Sequence, residues 1–200
     1  MNANVLELNA SANAKAPVLR LLMRRLLRAV ERAFAILGVL FLVYFLCFDL
    51  SVMISGSMSP TLAGDGKEGS DYVLSERITY WFSNPKRWNL VAFHSSEGVL
   101  IMKRIVGLPN ESLSMNENDQ ILINGQISPR PKSLERIKYY RYGSLANGNT
   151  LRTGDGYYVL GDDSKDSDDS RWNPPLHRKQ IVGRPLLVVW PLSRFGFVNP

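Results

Sequence analysis

Three short segments carry residue types able to do chemistry. In Ser55-Gly56-Ser57-Met58-Ser59-Pro60-Thr61-Leu62, glycine and proline flank a serine and could hold its hydroxyl on a tightly defined turn. A polar loop is the plain alternative. In the run Val99–Val106, a lysine interrupts an apolar, strand-like stretch. Strand alternation puts Ile101, Lys103 and Ile105 on one face and Met102, Arg104 and Val106 on the other. If the first face packs inward, lost hydration disfavours the ammonium, lowers the lysine pKa and leaves an amine able to act as general base. The competing picture is a solvent-facing edge lysine, with Arg104 inward or snorkelling. The third segment, Gly161 to Arg171, holds Asp162, Asp163, Asp166, Asp168 and Asp169. Such density suggests a calcium loop, but the central glycine and closing glutamate of that pattern are absent. A solvated acidic turn is the alternative.

The elements that must position these segments read as β. Short apolar or alternating runs recur at Tyr72–Leu74, Leu90–Phe93, Val99–Val106, Ile121–Ile123, Tyr157–Leu160 and Ile181–Trp190. Turn residues separate them: Asn84-Pro85, Pro109-Asn110, Asn124-Gly125, Gly154-Asp155-Gly156 and Gly161-Asp162. Asn124-Gly125 between two short apolar runs is a hairpin signal of the type I′ kind. The expected fold is mainly β, an antiparallel sheet or barrel-like domain. Residues 128–150, with two prolines among basic and aromatic side chains, are expected to form an insertion loop or hairpin.

Before this body lies a different composition. Residues 1–19 read as a flexible polar tail. Arg20, Arg24, Arg25, Arg28 and Arg32 then fall within a leucine-rich stretch, most of them on one helical face. An uncharged run from Ala33 to Phe48 follows, and apolar character resumes beyond Asp49 through Ile54. A span of about 20 residues is available, the length a membrane helix needs. The run is apolar on every face, unlike a core helix, and no small-x-small cleavage signal precedes the body. The expected division is an arm over 1–32, a transmembrane anchor over 33–54 and a catalytic domain over 55–200 with the insertion near 128–150. Arginines before the span and none directly after it put the N-terminus in the cytoplasm and the body outside it.

Composition closes other routes. The single cysteine, Cys47, forbids an internal disulfide and a Cys-based zinc site, and two histidines leave little for a His-rich one. No metal is expected. After residue 50 the chain has 18 Lys and Arg against 15 Asp and Glu, with no clustered basic face of the kind nucleic acid requires.

Taken together, in this order and behind one anchor, the three segments resemble those of bacterial type I signal peptidases, over most of residues 50–190. The resemblance implies a membrane-bound serine endopeptidase that removes signal peptides from exported preproteins at small-x-small sites, without a cofactor. Ser57, the serine before methionine, is implied as nucleophile. Ser55 is implied to lend its hydroxyl to the oxyanion hole beside the Ser57 N–H. Lys103, in Lys103-Arg104-Ile105-Val106-Gly107-Leu108-Pro109, is implied as base. Ser167 is implied to hydrogen-bond the lysine, with Asp169 and Arg171 as a bracing ion pair and Gly161 and Asp162 opening the same box. The chain departs from the family at Trp88-Asn89, at an insertion within Ala63–Asp71, at Asp163 and at Lys165, which bears on loop geometry and local charge. Partners implied are preprotein signal peptides and the lipid bilayer, with Trp81, Phe82, Phe195 and Phe197 as candidate lipid contacts and no nucleic acid. A peptidase specialised for a single substrate, and an inactive membrane-anchored binding domain, remain as rivals.

Overall fold

The computed structural model describes residues 3–64, 69–95 and 97–198, in two compact units that meet in sequence at Leu46 and Cys47. The first is one helix, α1 (Ala3–Cys47). Its stretch Arg20–Cys47, 28 residues long, is apolar enough to cross a membrane and has no buried face. At 1.5 Å per residue it extends about 42 Å, more than a hydrocarbon core requires.

Two expectations change here. The N-terminal tail is helical from Ala3 onward. The stretch expected as the end of the anchor is a strand: helix gives way at Cys47, and Phe48–Val52 form β1. The reason is pairing. Phe48 to Val52 lie opposite Glu76 to Tyr72 of β2 (Tyr72–Glu76), and Asp49 meets Arg77 at 3.0 Å. The apolar residues of this stretch alternate rather than continuing a helical face.

The second unit is antiparallel β throughout its named pairings. After β2 come the single-turn α2 (Thr79–Phe82), β3 (Leu90–His94), β4 (Leu100–Gly107), β5 (Ser112–Met115), β6 (Ile121–Ile123), β7 (Gln126–Ile127), β8 (Leu151–Arg152), β9 (Tyr158–Leu160), β10 (Ile181–Trp190) and β11 (Gly196–Phe197). One sheet runs β1-β2-β10-β3-β4-β9, with β11 on β10; a smaller sheet runs β7-β6-β5-β8. The larger path is open, ending at β1 and β9, rather than closed as a barrel. The Asn124-Gly125 hairpin forms as expected, with φ of 51° and 79° and Ile123 opposite Gln126.

β4 is the spine of this unit. Met102 enters one apolar cluster with Met58, Leu62, Val73 and Leu90. Ile105 enters a second with Val91, Tyr157 and Val159. Val106 enters a third with Leu113, Met115 and Tyr158. Residues 128–150 are irregular, with 3-10 turns at Lys132–Leu134 and Gly143–Gly148, but they are more than a surface loop. Leu134, Ile137, Tyr139 and Leu145 are at most 3% exposed and complete the third cluster. Leu145→Ala should therefore cost about 2–5 kcal/mol, as deletion of a buried leucine does, measured by chemical unfolding. A cost typical of a surface loop would contradict this packing.

Candidate active site

Ser57 sits in the 3-10 turn Gly56–Met58, directly after β1. Met58 and Leu62, both fully buried, pin the turn into the core, and Met53 holds its other end. From the opposite side, β4 delivers Lys103, which is 3% exposed. Its Nζ lies 2.6 Å from Ser57 Oγ. Ser55 Oγ is 3.2 Å from the same oxygen. Lys103 therefore points inward, with Ile101 and Ile105 packed in one cluster on that face.

Burial pushes the Lys103 amine below its ordinary pKa, against an opposing pull from the Asp169, Asp168 and Asp162 carboxylates; Arg171 adds to the lowering. The loop after β9 keeps that pull in check. Asp169 accepts from Arg171 Nε and Nη2, both at 2.8 Å, and from the Gly161 N–H at 3.0 Å. Arg171 Nη1 donates to the Ser164 carbonyl and hydroxyl, both at 2.7 Å. Gly161 is required for lack of space: a Cβ there would stand 2.1 Å from Ser167 Oγ and 2.6 Å from the Ser57 carbonyl oxygen. The Asp163 N–H donates to that carbonyl at 3.0 Å, tying the loop to the Ser57 turn.

Four acids of this loop accept protein hydrogen bonds: Asp162 from Arg104, Asp163 from the Lys165 N–H, Asp168 from Asn173 and Asp169 from Arg171. Among the described residues no group of three or more His, Cys, Asp or Glu side chains is placed to hold a metal.

One implied contact is not formed. Ser167 Oγ is buried without a hydrogen-bond partner, so it does not hydrogen-bond Lys103. It packs against Gly161 instead, where the absent side chain leaves room for it.

Other residues escaped the sequence argument. Arg104, fully buried, donates from Nε to Asp162 Oδ1 at 2.8 Å and from Nη2 to Asp162 Oδ2 at 2.6 Å. Thr61 donates to Asp162 Oδ2 at 2.5 Å, and Tyr139 to Oδ1 at 3.2 Å. Arg104 could have been found, since a charge opposite an inward lysine on a strand with two packed faces needs a partner. Nothing in the irregular run around Tyr139 signalled its contact.

A groove of about 520 Å³ runs beside the dyad, lined by Val52, Ile54, Ser55, Ser57, Val99 and Lys103 among others. Both flanking strands have open backbone edges there. Among the described residues, β1 pairs only with β2, and β4 meets β9 only from Arg104 onward.

The family to which this arrangement belongs is shown by comparison. The model of the signal peptidase family, peptidase S26, matches residues 26–190. A signal peptidase I of Leptolyngbya laminosa is 31% identical over 155 residues, 73% of this chain and 70% of its own length. Signal peptidase I V of Bacillus subtilis strain 168 is 31% identical over 136 residues, 64% of this chain and 77% of its own. A crystal structure of a signal peptidase I from Enterococcus faecalis V583 is 28% identical, covering 51% of this chain and 97% of that one, with a TM-score of 0.40. The chain belongs to the signal peptidase family, peptidase S26, and is a serine endopeptidase.

A lysine whose folded-state pKa is depressed penalises the fold most below that pKa, where both folded and unfolded chains are protonated. The penalty fades as pH rises toward the ordinary lysine value. Lys103→Met should therefore raise the melting temperature at about pH 6, with the gain shrinking toward about pH 10. A pH-independent difference would mean the amine is not desolvated.

Proposed function

We propose that this chain removes N-terminal signal peptides from exported preproteins, with Ser57 as nucleophile and Lys103 as general base. The observation that carries the reading is the buried 2.6 Å approach of the Lys103 amine to the Ser57 hydroxyl, at the floor of an open groove. Neutral Lys103 takes the Ser57 proton as Oγ attacks the scissile carbonyl carbon. Negative charge gathers on the carbonyl oxygen, where the Ser57 N–H and the Ser55 hydroxyl receive it; losing one such donor costs about 100–1000-fold in rate. The Lys103 ammonium returns its proton to the leaving amine of the mature chain. Lys103 then takes a proton from water, whose oxygen attacks the acyl ester, and passes that proton to Ser57 Oγ as the ester C–O bond breaks, which frees the signal peptide as a carboxylic acid and restores the Ser57 hydroxyl and the neutral amine.

The substrate enters as an extended strand, hydrogen-bonding the open edges of β1 and of the first half of β4. Small side chains at the cut suit a nucleophile held close to the groove floor. α1 is the anchor, oriented by its arginines with the N-terminus in the cytoplasm and the β unit outside it.

Lipid contact is assigned to the β unit by its exposed apolar side chains. Trp81, Phe82, Phe195 and Phe197 are 58%, 85%, 60% and 73% exposed. Register adds a second group. Leu50, Leu74, Leu187 and Phe197 form one row across four strands, and Val52, Tyr72 and Trp190 form the next. Tyr and Trp at such a face suit the interfacial zone of a bilayer.

Two experiments test this. Ser57→Ala and Lys103→Ala should each lower preprotein cleavage by at least about 1000-fold while circular dichroism stays parental. Near-parental turnover in Lys103→Ala would remove the lysine from the mechanism. Trp190→Glu with Phe197→Glu should reduce cleavage of a vesicle-embedded preprotein about 5–150-fold, the effect of about 1–3 kcal/mol of lost apolar transfer, and leave a short soluble peptide cleaved as before. Equal loss on both substrates would argue against lipid contact.

A further inference from the structure

The segment Tyr139–Ser144 lies outside the three sequence boxes yet is strapped along the whole loop that braces the dyad. The Tyr139 hydroxyl donates to Asp162. The Tyr140 N–H donates to Ser164 Oγ at 3.0 Å. Gly143 is pressed against the Arg171 backbone, where a Cβ would come within 2.4 Å of the carbonyl oxygen, and Ser144 N–H donates to that carbonyl at 2.9 Å. Ser144 Oγ also pairs with the Tyr158 hydroxyl at 2.8 Å. The strap itself is seated by a core that the inserted residues helped to build.

We propose that Tyr139 is a positioning residue for cleavage: its hydroxyl fixes the Asp162 carboxylate, and through Arg104 and Gly161 sets Lys103 against Ser57. The route is short. Asp162 follows Gly161, the residue wedged between Ser167 and the Ser57 carbonyl. Arg104, held by Asp162, is the neighbour of Lys103 on β4 and faces the other way. Any rotation of the Asp162 carboxylate therefore bears on both halves of the dyad.

The ring of Tyr139 is fixed independently of its hydroxyl. It is 1% exposed, and the Arg130 guanidinium lies over it at 5.0 Å while also covering Trp88 at 5.8 Å. Removing the hydroxyl alone should thus leave the packing in place. Burial and the Asp162 charge push the phenol well above its ordinary pKa, so it donates at any working pH. The hydrogen bond also draws off part of the Asp162 field at the amine. The other charged groups bearing on Lys103 are Asp168, Asp169 and Arg171, with Glu97 and Asp166 along the groove.

This inference rests on Lys103 being the base, and the two fail separately: retained cleavage in Lys103→Ala sinks the base, whereas a neutral Tyr139→Phe sinks only the positioning role. The test uses the full chain in detergent and a peptide substrate. Tyr139→Phe should lower kcat about ten-fold, the factor carried by one hydrogen bond to a charged group. KM should hold, because Tyr139 does not line the groove. The acid limb of kcat/KM should move to higher pH, since an Asp162 charge with fewer donors favours the ammonium. A folded variant with parental kcat and limb, or one changed only in melting temperature, overturns the proposal. Should Tyr139→Phe fail to fold, 3-fluorotyrosine placed at position 139 decides. It keeps the shape and donates more strongly, so the acid limb should shift to lower pH, and an unmoved limb overturns the proposal.

Discussion

The structure depends on keeping one amine dry beside one hydroxyl. Burial lowers the Lys103 pKa, but burial also concentrates the field of every nearby charge. Three carboxylates bear on the amine, and each favours the wrong protonation state. Two of them are cancelled in place: Asp162 by Arg104 and Asp169 by Arg171, both pairs almost wholly excluded from water. Such buried pairs add little net stability, since desolvation offsets much of their attraction. Their value here is different. A neutral, rigid pair can brace a loop against Ser57 and Lys103 without pulling a proton onto the amine.

The same economy explains β4. Consecutive residues of a strand face opposite ways. Lys103 faces Ser57 and Arg104 faces Asp162, so one strand supplies the buried amine on one side and the anchor of its support on the other. Three apolar clusters grip that strand on both faces, through Met102, Ile105 and Val106. A buried basic side chain on each face would destabilise an ordinary strand; here Lys103 meets the Ser57 hydroxyl and Arg104 meets Asp162, and the surrounding clusters fix that geometry.

Local signals made much of this legible in the sequence. Lys103 stood out because a charge inside an alternating apolar strand can point inward only at a price. The Asn124-Gly125 turn stood out because few residue pairs accept two positive φ angles. Two kinds of feature stayed hidden. One was the end of α1, where Leu50 and Val52 look equally apolar in a helix or a strand; pairing with β2 decides, and pairing is not local. The other was the run from 128 to 150, whose prolines and polar residues mark loop backbone while Leu134, Ile137, Tyr139 and Leu145 fill core. Without regular periodicity, burial leaves no pattern to read. Ser167 shows the converse limit: family likeness implied a hydrogen bond, whereas its packing against Gly161 follows from a steric detail that residue types alone do not carry.

Open strand edges normally invite aggregation, and proteins blunt them with charge, proline or bulges. Here two open edges flank the dyad, and their neighbouring side chains, Val52, Ile54, Val99 and Ile101, are largely apolar. That liability has a function if the edges are completed by substrate. Main-chain hydrogen bonds are blind to sequence, so a strand laid between them is recognised by its extended form. Discrimination then falls to whatever side chains can fit against the floor where Ser57 and Lys103 meet. A peptidase that takes its substrate as a strand needs that division of labour, in which backbone supplies affinity and a shallow floor decides the position of the cut.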